Sequence, residues 1–271
     1  MAYGLLKGKK GIIFGALDEK SLAWKTAKKA HEEGAQIVLT NAPVAMRMGK
    51  INDLAKECNT EVIPADATNM DDLNNLFSKS MELLGGKIDF VLHSIGMSPN
   101  VRKNFPYTDL NHDLFLKTLD ISALSLHKVL QSAHKLDALN EWGSVVALSY
   151  IAAQRTMPGY KDMADAKAML ESIARSFGYY YGKEKNVRIN TISQSPTLTT
   201  AGSGIKGFNS FYHYANDIAP LGNASADHCA EYCVSLFSDM TRMVTMQNLY
   251  HDGGYSFTLA SDEVLDKYDD Q

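Results

Sequence analysis

A doubly wound α/β fold, one domain on a parallel sheet of about seven strands, is what this sequence predicts. Short β-rich runs alternate with amphipathic stretches of helical length, no Pro/Gly/Ser-rich linker separates two cores, and 45% of the 271 residues are hydrophobic, enough for one large interior. The runs lie at residues 11–14, 36–40, 61–63, 90–93, 144–148, 188–192 and 247–251. A first helix is read over residues 21–33, because Leu22, Ala23, Ala27 and Ala30 recur at near-helical spacing and the pattern stops at Gly34, a residue suited to a left-handed turn. Further helices are expected at residues 71–84, 111–136, 163–181 and 225–237, each ending near a glycine, a polar cluster or the next strand. The domain takes in residues 1–271. Within it, residues 196–216 are rich in Thr, Gly and Ser and then in aromatics, too long for an ordinary connection. They are read as a substrate-binding lid, with a floppy loop as the plainer alternative.

Composition excludes several classes of function. The 27 basic and 31 acidic residues leave a net charge of −4 with no dense Lys/Arg stripe, so neither nucleic acid nor an anionic membrane is an expected partner. Three cysteines, Cys58, Cys229 and Cys233, are too few and too odd in number for a disulfide framework, and they suit a reducing compartment. His228 beside Cys229 and Cys233 lacks a second ligand pair, so no metal is assigned. The first ten residues carry no apolar signal core, and no run approaches the roughly 20 apolar residues of a membrane span. A cytoplasmic protein is the expectation.

Candidate chemistry gathers at the ends of the expected strands, where an open α/β sheet holds its ligand. After the first strand, Gly15 is followed by a loop and then by Ser21 and Leu22 at a helix start, whose free N–H groups and dipole suit a pyrophosphate. The usual Gly-x-Gly-x-x-Gly is absent, and Ser21 serves equally well as a plain helix cap. Asp66 and Ala67 follow the third strand, where the carboxylate either accepts from an adenine amino group or caps the next helix. Ser94, Ile95 and Gly96 follow the fourth, and Gly96 would let the backbone approach a ribose. The sharpest pattern follows the fifth: Tyr150, then Tyr160 ten residues on, then Lys167 seven further. At about 100° per residue, seven steps fall about 20° short of two turns, so in a helix Tyr160 and Lys167 would share a face. A nearby ammonium would favour the phenolate and lower the tyrosine pKa. Interfacial packing tyrosines and a solvated lysine are the bland alternative.

The segments Gly15-x5-Ser21-x-Ala23, His93-Ser94-Ile95-Gly96, Asp120-Ile121-Ser122, Tyr150-x9-Tyr160-x6-Lys167 and Gly204-Ile205-Lys206-Gly207-Phe208 resemble the bacterial enoyl-acyl carrier protein reductases, a divergent branch of the short-chain dehydrogenase/reductase superfamily. The resemblance runs over nearly the whole chain and implies a Rossmann-like fold. Ordinary members of the superfamily pair Tyr-x3-Lys with a serine thirteen residues before the tyrosine; those positions here are Ala164 and Ala147. The resemblance implies hydride transfer from NADH to the β-carbon of a trans-2-enoyl thioester, with Tyr150, Tyr160 and Lys167 as the catalytic set. It further implies cofactor contacts at Gly15, Ser21, Leu22, Asp66, Ala67, Ser94, Ile95, Gly96, Lys167 and Thr199. The implied acyl pocket comprises Met97, Tyr150, Tyr160, Met163, Ile205 and Phe208. An acyl carrier protein as partner, with Lys206 in its basic docking patch, and a homotetramer packed through the long helices complete what it implies.

Two departures from the family pattern stand out. Where the family has Ser-Ala-Gly-Pro, this chain has Ser193-Gln194-Ser195-Pro196, which raises bulk and polarity beside the nicotinamide. After the second strand, Asn41-Ala42-Pro43 offers neither an acid for a ribose 2′-hydroxyl nor an immediate arginine for a 2′-phosphate, although Arg47 and Lys50 follow; NADH is favoured and NADPH is not excluded. The competing functions are a carbonyl reductase on β-ketoacyl thioesters, disfavoured by Ala147 and Ala164, and a nucleotide-binding regulator that has lost its chemistry, suggested by Gln194-Ser195.

Overall fold

The computed structural model describes residues 2–47, 50–200, 202 and 205–269. In chain order the elements are β1 (Lys10–Phe14), α1 (Leu22–Glu32), β2 (Gln36–Thr40), α2 (Pro43–Met46), α3 (Ile51–Glu57), α4 (Met70–Leu83), β3 (Ile88–His93), α5 (Pro99–Lys103), α6 (His112–Leu119), α7 (Ser125–Lys135), β4 (Leu139–Ser149), α8 (Asp162–Lys185), β5 (Arg188–Gln194), α9 (Phe208–Ile218), α10 (Ala226–Phe237), β6 (Asn248–His251) and α11 (Asp262–Asp269). The strands form one parallel sheet in the order β2-β1-β3-β4-β5-β6. The order reverses about β1, and a ligand crevice opens at such a reversal, outside the carboxyl ends of β1 and β3.

Among the described residues six strands form, where about seven were expected from the alternation of runs. The run at residues 61–63 lies beside β2, donating from Ile63 N–H to Leu39 O at 2.9 Å and from Ala65 N–H to Asn41 O at 3.1 Å, but the pairing yields only one bridge, Leu39 to Val62. The run ends there, because the chain turns at residues 66–69, Asn69 N–H donating back to Asp66 O, and leads into α4.

Alternation along the strands divides the interior into two layers. Ile12, Phe14, Val91, Val145, Ala147 and Ile189 pack with Leu73, Leu126 and Leu170 from α4, α7 and α8. On the opposite face Ile13, Leu39, Phe90, Leu92, Val146 and Ile192 pack with α1 and α10, and Phe90 stacks on Phe237 at 4.5 Å. Cys229 and Cys233 are buried in this second layer, and His228 closes the capping box of α10 with Ser225.

The expected helix at 111–136 is divided. Between α6 and α7 the chain makes a π turn over Asp120–Leu124, and the Ser125 hydroxyl donates to Ile121 O at 2.6 Å inside it. Such a widened turn accommodates one extra residue and re-aims side chains. Here it presents Ser122 to the loop after β3, where Ser122 Oγ accepts from Met97 N–H at 2.9 Å and lies 3.1 Å from Met97 O. Among the described residues, no helix is long and apolar enough to cross a membrane.

Candidate active site

The crevice begins where β1 ends. Gly15 has φ +93°, and a Cβ there would stand 2.0 Å from Ser94 O, so β1 and the loop after β3 meet backbone to backbone. The following loop is closed by Ser21, whose hydroxyl donates to Asp18 O at 2.8 Å and accepts from Leu17 N–H at 3.3 Å and Trp24 N–H at 3.4 Å. Leu22 opens α1, whose first turn carries no acidic residue to offset its partial positive charge. Across the crevice, Asp66 folds into its own turn: Oδ1 accepts from Thr68 N–H at 2.9 Å and from Thr68 Oγ1 at 2.8 Å. It is Asn69, not Asp66, that caps α4, and Ala67 is buried behind the turn.

Residues 94–97 form the crevice's inner edge, with Ser94, Ile95 and Met97 half-buried and Gly96 open. Lys167 reaches this edge from α8. Its ammonium donates to Leu148 O at 2.7 Å and to Ile95 O at 3.5 Å, and burial lowers its pKa to about 8 against the opposing charge of Glu171. A Cβ on Gly96 would lie 3.7 Å from the Lys167 ammonium and 3.8 Å from Met163 Cε, so the missing side chain leaves lysine and thioether facing the open edge. Beneath it, His93 is fully buried with Nε2 2.8 Å from Ser125 Oγ. The Ser125 hydrogen is already given to Ile121 O, so His93 Nε2 carries the proton and donates. Burial, reinforced by the Lys167 charge, pushes the His93 pKa down to about 3.

Tyr150 and Tyr160 stand together, ring centroids 4.9 Å apart and planes tilted by 54°. Two expectations about them need correction. Tyr160 is not on a helical face with Lys167: α8 starts only at Asp162, and the intervening Lys161 has φ 50°. Nor is the phenol pKa lowered; burial pushes it well above the ordinary value, while the Lys167 ammonium is spent on two backbone carbonyls. Tyr150 is raised too, by burial first and by Tyr160 second. Both phenols therefore keep their protons at neutral pH and are hydrogen-bond donors. Ile205 and Tyr160 pack against the apolar layer that contains Met163, and Phe211 closes on Tyr150 at 6.4 Å.

The stretch 196–216 is only partly a loop, since its second half is the start of α9, on which Phe208 is half-buried 6.3 Å from Tyr212. Thr199 Oγ1 accepts from Gly202 N–H at 3.0 Å, and Thr200 donates to Asp18 Oδ2 at 2.6 Å, linking this segment to the loop after β1. Gly204 lies outside the described residues. Gln194 and Ser195 are committed elsewhere: Gln194 Nε2 donates to Thr197 Oγ1 at 3.2 Å, its Oε1 accepts from His251 Nδ1 at 2.7 Å, and Ser195 Oγ accepts from Ala224 N–H at 2.8 Å. Asn41 Nδ2 donates to Ala16 O at 2.8 Å, and Arg47 is exposed.

Ser122, which the sequence marks only within a motif, and two residues that sequence reasoning passed over support this site. Ser122 pins Met97, and Glu171 is buried one turn beyond Lys167, where it accepts from Ser149 Oγ at 2.7 Å and Gln154 Nε2 at 3.0 Å. Asp162, wholly buried at the start of α8, accepts from Ser98, Asn100 and Thr118. Of the two passed over, only Glu171 had a legible signal, its i,i+4 spacing from Lys167.

Known proteins resemble this chain over nearly its whole length. A family model described as "Enoyl-(Acyl carrier protein) reductase" matches residues 15–256. The chain is 34% identical to enoyl-[acyl-carrier-protein] reductase [NADH] 1 of Rhizobium meliloti (strain 1021), covering 94% of this chain and 92% of that one. It is 36% identical to the NADH enoyl-[acyl-carrier-protein] reductase FabI of Rickettsia bellii (strain RML369-C), over 98% and 100% of the two chains. The crystal structure of the FabI-NADH complex from Alistipes finegoldii superposes with a TM-score of 0.95 at 66% identity, over 96% of this chain and 92% of that one. With this match and a Rossmann-like α/β sheet carrying Tyr150, Tyr160 and Lys167 at its carboxyl edge, the chain belongs to the enoyl-(acyl carrier protein) reductase family.

Proposed function

We propose that this chain is an NADH-dependent enoyl-acyl carrier protein reductase, an oxidoreductase of fatty-acid synthesis that saturates the double bond of a trans-2-enoyl thioester. The observation that carries the reading is the pairing of Tyr150 with Tyr160 at 4.9 Å on the edge of the sheet that also holds the buried Lys167, while Ala147 and Ala164 occupy the positions that ketone-reducing relatives need.

The residues fit a dinucleotide. The N-terminus of α1 is free of acidic side chains, Gly96 bares the edge above Lys167, and the buried Ser193 Oγ at the end of β5, paired in register with Ser149, finds no hydrogen-bond partner among the described residues. Gly15, Ser21 and Leu22 would hold the pyrophosphate, Asp66 and Ala67 the adenine, and Ser94, Ile95, Gly96, Lys167 and Thr199 the nicotinamide half. NADH rather than NADPH is the expected donor, because Asn41 is turned to Ala16 and no arginine follows it directly. The bound dihydronicotinamide supplies the hydride that the enoyl β-carbon receives.

Negative charge then develops on the thioester oxygen. Tyr160, held protonated by burial, donates a hydrogen bond or a proton to that oxygen, and a preorganised donor aimed at developing charge is a large catalytic contribution. Lys167 supplies a positive field and holds ribose hydroxyls. Tyr150 orients the thioester. Met97, Met163, Ile205 and Phe208 line the acyl chain, their flexible or broad apolar side chains adapting to it. Residues 196–216 act as the lid on the domain spanning 1–271, excluding water from the charged intermediate. Exposed Lys206 belongs to the patch that meets the acidic carrier protein. A homotetramer is the expected assembly, supported by exposed Tyr179 and Tyr180 on α8, and a cytoplasmic location accords with the three free cysteines. Light scattering that finds only monomer would contradict the assembly.

Tyr160→Phe tests the chemistry. Turnover on a crotonyl thioester should fall by about 10²-fold or more, with NADH affinity nearly unchanged. Turnover equal to the parent would remove Tyr160 from the mechanism.

A further inference from the structure

The backbone just before α8 is strained, and a buried carboxylate sits beside the strain. Lys161 has φ 50° and ψ −134°, and Met163 N–H donates back to Tyr160 O at 3.1 Å. Residues 160–163 therefore have the shape of a type II′ turn, whose second position is one for glycine. A lysine there relaxes away unless its surroundings hold it. Two sets of contacts do so. The Lys161 ammonium donates to Asn104 Oδ1 at 3.0 Å. The Asp162 carboxylate, with no exposed surface, accepts from Ser98 Oγ at 2.6 Å, Asn100 Nδ2 at 2.8 Å and Thr118 Oγ1 at 2.8 Å. These donors come from α5, its N-cap and α6, and Ser98 directly follows Met97. One carboxylate thus joins the turn that carries Tyr160, and the start of α8 with Met163, to the loop that carries Gly96 and Met97.

We propose that Asp162 is a positioning residue for Tyr160: the triply bonded Asp162 carboxylate holds the Tyr160–Met163 turn in its strained shape and so sets where the Tyr160 ring stands against Tyr150. This rests on the reading of Tyr160 as the donor to the substrate oxygen. Asp162 acts through the turn, and the wall opposite moves with it because the carboxylate grips both sides.

The test is kinetic and structural in parallel. Asp162→Asn keeps the size but removes the charge, so the bonds from Asn100 and Thr118 lose their charge assistance and the one with Ser98 must reverse, its hydroxyl accepting from the new amide. Expected is a fall in kcat of about tenfold or more on a crotonyl thioester with KM for NADH within about twofold, a split that general loss of fold does not give. Adding Lys161→Gly removes the strain that drives relaxation, so the double variant should recover kcat by about threefold or more over Asp162→Asn alone. Hydrogen exchange reads the turn without reference to catalysis: the Met163 amide should lose protection in Asp162→Asn while amides of β3 and β4 keep theirs. If Asp162→Asn does not fold, Thr118→Val removes one donor at nearly constant shape and should show the same split at about threefold. An unchanged kcat, a double variant no better than the single one, or a Met163 amide still protected overturns the proposal. Should Tyr160→Phe prove fully active, the reading of Tyr160 falls, while the exchange result still decides whether Asp162 holds the turn.

Discussion

Gly15→Ala is the sharpest single perturbation of the crevice. At φ +93° an alanine takes a conformation that costs an L-residue about 1–2 kcal/mol. Its Cβ would stand 2.0 Å from Ser94 O, roughly 1.4 Å inside the 3.4 Å where ordinary contact begins. The obstacle is a backbone oxygen at the end of β3, which pairs with β1 up to Phe14 and His93, so it gives way only if the strands part. Overpacking of this kind adds about 1–3 kcal/mol, for a total destabilisation of about 2–5 kcal/mol. Relief by moving Ser94 also displaces Gly96, two residues on, and an NADH Kd weakened by about tenfold or more should accompany the loss. Urea unfolding followed by circular dichroism gives the first quantity and NADH fluorescence titration the second. A destabilisation below about 1 kcal/mol together with an unchanged Kd would refute the backbone-to-backbone contact as the organiser of this edge.

Other changes test other parts. Ser21→Ala removes the cap of α1 and should destabilise by about 1 kcal/mol while weakening NADH binding; intact binding would leave Ser21 a cap and nothing more. Lys167→Met keeps the length of the side chain but strips Leu148 O and Ile95 O of their donor, and turnover should collapse with the fold retained; a variant turning over like the parent would remove the lysine from the site. His93 carries a pH signature. Its pKa is lowered from 6.5 to about 3, so the unfolded chain binds a proton that the folded chain refuses, and stability is full above pH 6.5 and falls as the pH drops toward 3. The loss approaches about 1.4 kcal/mol per pH unit within that window. A His93→Gln variant should show a flatter decline between pH 6.5 and 5 in urea titrations, and identical slopes in the two proteins would contradict the buried neutral imidazole.

What the sequence made legible was local. Ser21 and Gly34 bracket the first helix because capping and left-handed termination are properties of one or two residues, and the structure has Ser21 as cap and Gly34 at φ +94°. Strand runs buried on both faces were readable from their apolar continuity, but the run at 61–63 is cut short by the turn after Ala65 that leads into α4, and a single bridge to β2 forms. The break in the 111–136 helix was hidden because a π turn leaves hydrophobic periodicity nearly intact. At the site, spacing singled out Tyr150, Tyr160 and Lys167, yet helical geometry gave the wrong account of how the last two relate. The turn at Lys161 precedes the helix, and Lys167 answers to carbonyls of β4 and the loop after β3. Asp162 was illegible because its partners Ser98, Asn100 and Thr118 are 44 to 64 residues away and meet it only in the fold. The polarity of Gln194 and Ser195 also took its meaning from distant residues, His251 and Ala224, which turn both side chains into a network of their own.

The most direct test of the proposed reaction is the initial rate of NADH oxidation, with NADPH in parallel, on a crotonyl or longer enoyl thioester and on an acetoacetyl thioester. Oxidation with the enoyl substrate alone, and with NADH in preference to NADPH, is the predicted result. Oxidation with the acetoacetyl thioester alone would make the chain a carbonyl reductase, and binding of NADH without its consumption on any enoyl thioester would contradict the reductase account altogether.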